Sequence, residues 1–543
     1  MKRFDAAQIV LKKEIKIVND MTKTELKKNI TKINKLLRSD SYEAGLELIK
    51  TLDDPEIKKG TAMAAAARIK KLLKQRDYDA IDTGIELARS LDEPAVFETL
   101  LEGCSIDEKE KIKRNKIFTG PGLAQPYLDY ALWNLIGYAP KNTKVDKSLK
   151  HSKVKTLDFK KYPWLKLPSA LVCFANVDTV DLSGCTSLKN MDILVNLPNL
   201  TNLNISNCSS LKNIDGLANL PNLTTLIICY CNSLQNIDGL ANLTNLTSLD
   251  LRHCDSIQNI DGLANLPHLT SLILSSYDSL KNMDILVNLP HLTSLDMSGC
   301  DSLQNVDGLA NLTNLTSLVL SACSSLQDVS DLANLTNLTT LNISNCISLE
   351  NIDVLTDLTN LTSLVLRHCG SLQNVDVLAN LPNLTSLDMD NCSSLQNVDG
   401  LANLINLTSL VLSSCGSLQN IDVLANLTNL TSLDLSGCDS LQNIDVLANL
   451  PNLTSLDLSN CDSLQNVDVL ANLSNLTNLR LRQWNRWRIC GSLQNVDVLV
   501  NLINLRSLDL SYCDEVQPKP SKDKMTTREE VAVYQEEIKK SMK

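Results

Sequence analysis

Aromatic residues make up only 3 % of this 543-residue sequence, while hydrophobic residues reach 43 %. Its interior must therefore be built mainly from Leu, Ile and Val, and the length is too great for one compact core. Histidine is scarcer still, with five in all: His151, His253, His268, His291 and His368. No Gly-rich phosphate loop, Ser/His/Asp arrangement, C-x-x-C pair or Cys/His cluster accompanies them, so neither catalysis nor a metal or other cofactor is expected. No stretch approaches the 18 to 20 uncharged apolar residues of a membrane span. The start, MKRFDAAQIVLKKEIKIVND, lacks the apolar run of a secretion signal, which places the expected site of action in the cytoplasm. Basic residues are sparse where the chain is longest. Residues 151–513 hold 15 Lys+Arg against 32 Asp+Glu, whereas residues 1–150 hold 29 against 23. That balance disfavours nucleic acid, whose phosphates need clustered cations. It favours a protein partner with a basic or mixed-charge surface.

What the sequence has in abundance is a repeat. Cys185, Cys208, Cys231 and Cys254 lie 23 residues apart, and the register continues from Cys300 to Cys461, with Tyr277 in the one vacant place. In one unit, Leu430, Leu433, Leu435, Cys438, Leu441, Ile444 and Leu447 follow L-x-x-L-x-L-x-x-C-x-x-L-x-x-I-x-x-L. Leu433 and Leu435 alternate inward from a short strand, with Ser432, Asp434 and Ser436 on the other face. The stretch NIDVLANLTNL then returns the chain on the outside through a short 3₁₀ turn. Each unit covers its neighbours' apolar flanks, so stability comes from stacking. The cysteine is expected to direct its S–H at the backbone of an adjacent coil, as a buried reduced column. The register reaches back through Val154, Leu157, Phe159, Tyr162 and Leu165. Forward, Cys490 follows Cys461 by 29 residues and Cys513 follows after another 23, so six residues are inserted in the penultimate unit and the array counts about 16 coils.

Segments such as IDGLANLTNLTSLDLSGC resemble the bacterial leucine-rich repeat families, especially internalin-like repeats, over about residues 150 to 513. The resemblance implies an α/β solenoid of horseshoe form, with short parallel strands on the concave face and 3₁₀ or irregular turns on the convex face. It also implies ligand binding by the concave face. The unit departs from the usual pattern in carrying Cys where Asn is common.

Residues 1–118 read as helical, with an internal duplication: LLRSDSYEAGLELIKTLDDPEI parallels LLKQRDYDAIDTGIELARSLDEPAVF, suggesting two tandem hairpins. Asp53-Asp54-Pro55 and Asp92-Glu93-Pro94 read as helix caps. Residues 119–150 hold an apolar helix, YLDYALWNLIGYAP, suited to seating the helical region on the first coil. In residues 514–543 a linker, DEVQPKPSKDK, leads to a charged helix with a Thr N-cap, placed to fold over the last coil or dock a partner.

The strand-centre position, four residues before each cysteine, alternates acidic residues with Ile227, Ile273, Val319, Val365 and Val411, which are candidate binding anchors. Arg252 and Arg367, five coils apart, either pair with neighbouring carboxylates or meet an acidic group of a ligand. The insertion RLRQWNRWRICG brings Trp484 and Trp487 beside Arg480, Arg482, Arg486 and Arg488. It reads as a protruding binding loop, or else as a plug over the adjoining coil. The expected function is a non-enzymatic protein–protein interaction module. The alternatives are a two-partner scaffold, an exported effector, or an F-box-like ubiquitin-ligase adaptor, the last disfavoured because residues 1–118 lack that motif's Pro-containing start.

Overall fold

The computed structural model describes residues 21–39, 41–75, 77–106, 112–120, 125–140, 154–160, 167–277, 283–464, 466–483, 496–514 and 516–543. They fall into two compact units, Met1–Leu246 and Thr247–Lys543.

The first unit opens with helices. Helix α1, Lys23–Arg38, begins in a capping box in which Thr22 Oγ1 accepts from Glu25 N while Glu25 Oε2 accepts from Thr22 N. Helix α2, Tyr42–Leu52, ends at Asp53, whose φ of 38° turns the chain sharply. Helix α3, Pro55–Leu73, starts on Asp54, which accepts from Glu56 N at 2.9 Å and Ile57 N at 3.1 Å. Helix α4, Tyr78–Leu91, likewise starts on Asp77 and ends at left-handed Asp92. Helix α5 spans Pro94–Leu101, and its cap residue Glu93 makes no side-chain cap bond. The two acidic–proline signals thus share a plan: the first acid closes one helix in the left-handed region and the second precedes the proline that opens the next. Only Asp54 caps with its side chain, because Glu93 is one methylene longer. Each duplicated segment runs from the end of a long helix through a short loop and helix into the next, so α3 belongs to both copies.

Helix α6, Gln125–Tyr138, carries this bundle onto the first coils. Trp133 lies edge-on to Phe159 and Phe174, with centroids 5.2 and 5.4 Å apart. Asn134, fully enclosed, accepts from Ala170 N at 3.2 Å. A Cβ at Gly137 would fall 2.6 Å from the Ala170 carbonyl oxygen, so only glycine permits this approach. The first-coil residues Val154, Leu157 and Phe159 are buried as their register predicts, while Tyr162 and Leu165 lie outside the described residues.

Both units then build the same coil. Strands of three residues pair in parallel with a shift of 23 residues, for example Leu203 with Leu226 in the first unit and Leu433 with Leu456 in the second. Four such strands, Thr156–Asp158 to Thr225–Ile227, belong to the first unit, and twelve, Ser248–Asp250 to Ser507–Asp509, to the second. Each central Leu or Val is buried, together with the apolar residue two places on. Full burial of such a side chain stabilises by about 1.5–3 kcal/mol. The returning half is a 3₁₀ turn such as Asp445–Asn449, opened by Asn443 Oδ1 accepting from Asp445 N at 2.7 Å. Two further ladders tie coil to coil. Asn429 Nδ2 donates to Ile405 O at 2.9 Å, and Thr431 Oγ1 donates to Thr408 O at 2.9 Å, with equivalents along the array. The expected leucine-rich repeat architecture, parallel strands alternating with 3₁₀ turns behind a helical region, is what forms.

The C-terminal segment closes the second unit, and its first part is more than a linker. Val516 is buried, and Lys524–Met525 pairs antiparallel with Leu508–Asp509, covering the last strand edge. Helix α7, Arg528–Ser541, then lies over the last coil. Val531, Tyr534 and Ile538 are buried, and Gln535 Nε2 donates to the carbonyls of Leu499 at 2.6 Å and Leu502 at 3.1 Å.

Candidate functional site

The position four before each cysteine, expected at the strand centre, is the last residue of the three-residue strand; its side chain points away from the core, and the chain then turns at the residue before the cysteine. Where that turn residue is described it has φ between 55° and 76°, whether it is Gly184, Asn345, Ala322, His368 or Tyr512. This left-handed residue continues the ladder, as in Gly437 N donating to Ser459 O at 2.8 Å. The cysteine that follows is buried and donates its S–H to a carbonyl of the preceding coil: Cys208 to Leu182 O at 3.4 Å, Cys438 to Leu412 O at 3.2 Å. Burial pushes these thiols up, to about 11 for Cys369 and about 12 for Cys323, Cys346, Cys415 and Cys461. The column stabilises the turn and is the opposite of a reactive thiolate site. Among the described residues no group of three or more His, Cys, Asp or Glu is placed to hold a metal ion, and no helix is long and apolar enough to cross a membrane.

The acidic residues of this strand-end column have a structural task that their charge alone did not reveal. Each accepts the backbone N–H two residues on, as in Asp181 with Ser183, Asp296 with Ser298, Asp434 with Ser436 and Asp457 with Ser459, all at 2.9 Å. Asn204 and Asn342 do the same at 3.0 Å. The recurring D-x-S and N-x-S triplets carry that signal in the sequence. Ile227, Ile273, Val319, Val365 and Val411 occupy the same column, half-exposed, where no such acceptor is present.

Two residues beyond the strand end a second column is mostly serine, interrupted by three arginines at intervals of five coils: Arg252, Arg367 and Arg482. Arg252 pairs with Asp250 of its own coil, Nη2 to Oδ2 at 2.5 Å. Arg367 pairs with Asp388 of the next coil at 2.6 Å. Both arginines thus have a neighbouring carboxylate as a partner. Exposed Arg480 reaches Asp457 Oδ2 at 3.4 Å. Trp484, Trp487, Arg486 and Arg488 lie outside the described residues.

Between Arg367 and Arg482 the second column reads Asp390, Ser413, Ser436 and Ser459, and here the face opens into a groove of about 610 Å³. Asp390, Asp439, Asp457 and Asp462 line it, with Arg482 and Gln483 at one end. Burial raises the carboxyl of adjacent Asp434 above the usual range against the lowering effect of its Ser436 hydrogen bonds, and Asp457 and Asp390 push it further up. The groove was not singled out by sequence reasoning. Its residues come from consecutive coils at spacings that only the stacking converts into one surface.

Residues 251–373 and 365–483 match the BspA type leucine rich repeat region, and residues 221–265 match a second leucine rich repeat family. No curated protein matches. Among solved structures the chain is similar to an internalin, inlF, of Listeria monocytogenes, with 25 % identity and a TM-score of 0.47 over 64 % of this chain and 94 % of that one. A leucine-rich repeat protein of Leptospira interrogans gives 19 % identity and a TM-score of 0.48 over 68 % and 92 %. The functional domain of InlJ from Listeria monocytogenes, described as including a cysteine ladder, gives 20 % and 0.43 over 66 % and 74 %.

Proposed function

We propose that this leucine-rich repeat chain is a non-enzymatic protein–protein interaction module whose strand face, together with the Trp/Arg-rich insertion, receives the partner. The observation that carries the reading is the strand-end column of the second unit. Its half-exposed Ile273, Val319, Val365 and Val411 alternate with Asp296, Asn342, Asp388 and Asp434 on a surface whose central leucines already satisfy the core. Apolar anchors set among polar neighbours are the composition of a binding patch. The acidic surplus of residues 151–513 suits a partner with a basic or mixed-charge surface.

The test is affinity capture from native lysate with full-length protein, with Val319→Lys/Val365→Lys on the strand face, with Trp484→Ala/Trp487→Ala, and with Asn380→Lys on the turn face. A protein captured by wild type and by the turn-face variant but lost from the strand-face variant supports the reading. Loss in the Trp variant adds the insertion to the interface. Equal capture by the wild type and the strand-face variant removes the strand face from the function.

A further inference from the structure

The strand-end column of the second unit repeats at every second strand. Ile273 pairs with Asp296 and Asp296 with Val319, and the register continues through Asn342, Val365, Asp388, Val411 and Asp434. Paired strands lie about 4.8 Å apart, so the four apolar residues follow one another at about 9.6 Å. An occupant that lays one side chain on each of them must repeat at that distance. A polyproline II segment does, because three residues rising about 3.1 Å each return the same face after about 9.3 Å. Over the three intervals from Ile273 to Val411 it drifts by about 1 Å. A helix returns its face after seven residues, about 10.5 Å, and drifts by about 3 Å. A β-segment presents one face every two residues, about 6.7 Å, and falls out of step at once.

Two further observations suit the same occupant. Ser294, Ser317, Ser363, Ser386 and Ser409 open their strands two residues before this column, half-exposed, and their hydroxyls make no hydrogen bond among the described residues. A polyproline II backbone has no internal hydrogen bonds, so its carbonyls are free to accept from such hydroxyls, whereas a helix has already used its own. The half-exposed carboxylates of the column are also incompletely used. Asp296 accepts from Ser275 Oγ, Ser298 N and Ser298 Oγ, and Asp434 from Ser436 N and Oγ, in every case through Oδ1. No described residue donates to the Oδ2 of either, which leaves one oxygen of each for a cation.

We propose that the strand face from Ile273 to Asp434 binds a partner segment in the polyproline II conformation. Every third residue of that segment is apolar and lies on Ile273, Val319, Val365 or Val411, and Lys or Arg residues beside them meet Asp296 and Asp434. The proposal deepens the interaction reading above and rests on it.

The test is calorimetry of the full-length protein with an acetylated, amidated peptide of four Leu-Pro-Arg repeats, which spans about 37 Å in this conformation. One control reorders the same residues so that the triplet is lost. The other is a helix-forming peptide of Leu, Ala and Arg with Leu at every seventh position. The triplet peptide is expected to bind at least about tenfold tighter than either control. Val319→Thr/Val365→Thr keeps β-branched residues in the strands and should weaken it about tenfold. Asp296→Asn/Asp434→Asn keeps the turn acceptor, as Asn342 does, and should weaken it about threefold, while Asp422→Asn on the turn face changes nothing. Equal binding of the reordered peptide overturns the proposal, as does tighter binding of the helical peptide or unchanged affinity in the threonine variant. Lysate capture tests the broader reading separately. A partner lost from Val319→Lys/Val365→Lys while the triplet peptide fails to bind removes the polyproline II occupant and leaves the strand face as receptor.

Discussion

Raising the pH should unfold the second unit before any of its column thiols ionises in place. In the unfolded chain a cysteine loses its proton near its ordinary value of 9.0, whereas burial holds Cys369 to about 11 and Cys323, Cys346, Cys415 and Cys461 to about 12. Between those limits the folded state binds more protons than the unfolded state, so stability falls as pH rises. It is flat below about 9 and stops falling above the folded values. Each thiol contributes about 1.4 kcal/mol per pH unit in that window, and five together about 7 kcal/mol per unit. That is comparable to the whole stability of an ordinary domain, about 5–15 kcal/mol. The assay is parallel recording of far-UV circular dichroism and thiolate absorbance from pH 8 to 12 under reducing conditions. Both signals should change together, with urea midpoints already falling steeply above pH 9. Cys415→Ala/Cys438→Ala should flatten the slope while costing some stability at pH 7. A thiolate signal that rises with a midpoint near 9 while the dichroism stays native would refute the reasoning.

Three further outcomes follow from local geometry. Ala322, at φ 59°, sits in the left-handed turn position that Gly437 occupies at φ 72°, where a Cβ would meet Ser414 Cα at 3.3 Å. Gly437→Ala should destabilise by about 1–2 kcal/mol, whereas Ala322→Gly should gain up to about 1 kcal/mol after the cost of glycine's freedom. Urea midpoints moving in the same direction for both would contradict the turn assignment. Gln535→Leu removes the second donor of the Leu499 and Leu502 carbonyls, which keep the backbone N–H groups of Leu502 and Leu505, at about 0.5–1.5 kcal/mol for each hydrogen bond lost. Limited proteolysis should then cut the segment around Lys522–Lys524 faster, and an unchanged rate would argue against the docking of α7. Trp133→Ala removes the ring packed on Phe159 and Phe174 and should cost about 3–5 kcal/mol. Faster hydrogen exchange in α6 would report it, and protection equal to wild type would show that this contact does not hold the helix.

The sequence by itself determined the architecture, because its 23-residue period places each leucine and each cysteine at a fixed point of one coil. A period needs no long-range information: Leu433 must face inward if Ser432 and Asp434 face out, and every coil repeats the argument. Helix ends were legible for the same local reason, in Asp54-Pro55 and in Thr527 before α7. Stacking decided the rest. Whether Arg367 met a carboxylate depended on the distance between coils, which no single coil encodes, whereas Arg252 meets Asp250 of its own coil. The strand-end acids proved to be turn acceptors as well as surface charge, a role that requires the backbone to double back on them. The Asp390–Gln483 groove exists only in the tertiary structure, since residues 23 apart along the chain become neighbours through the parallel pairing of their strands.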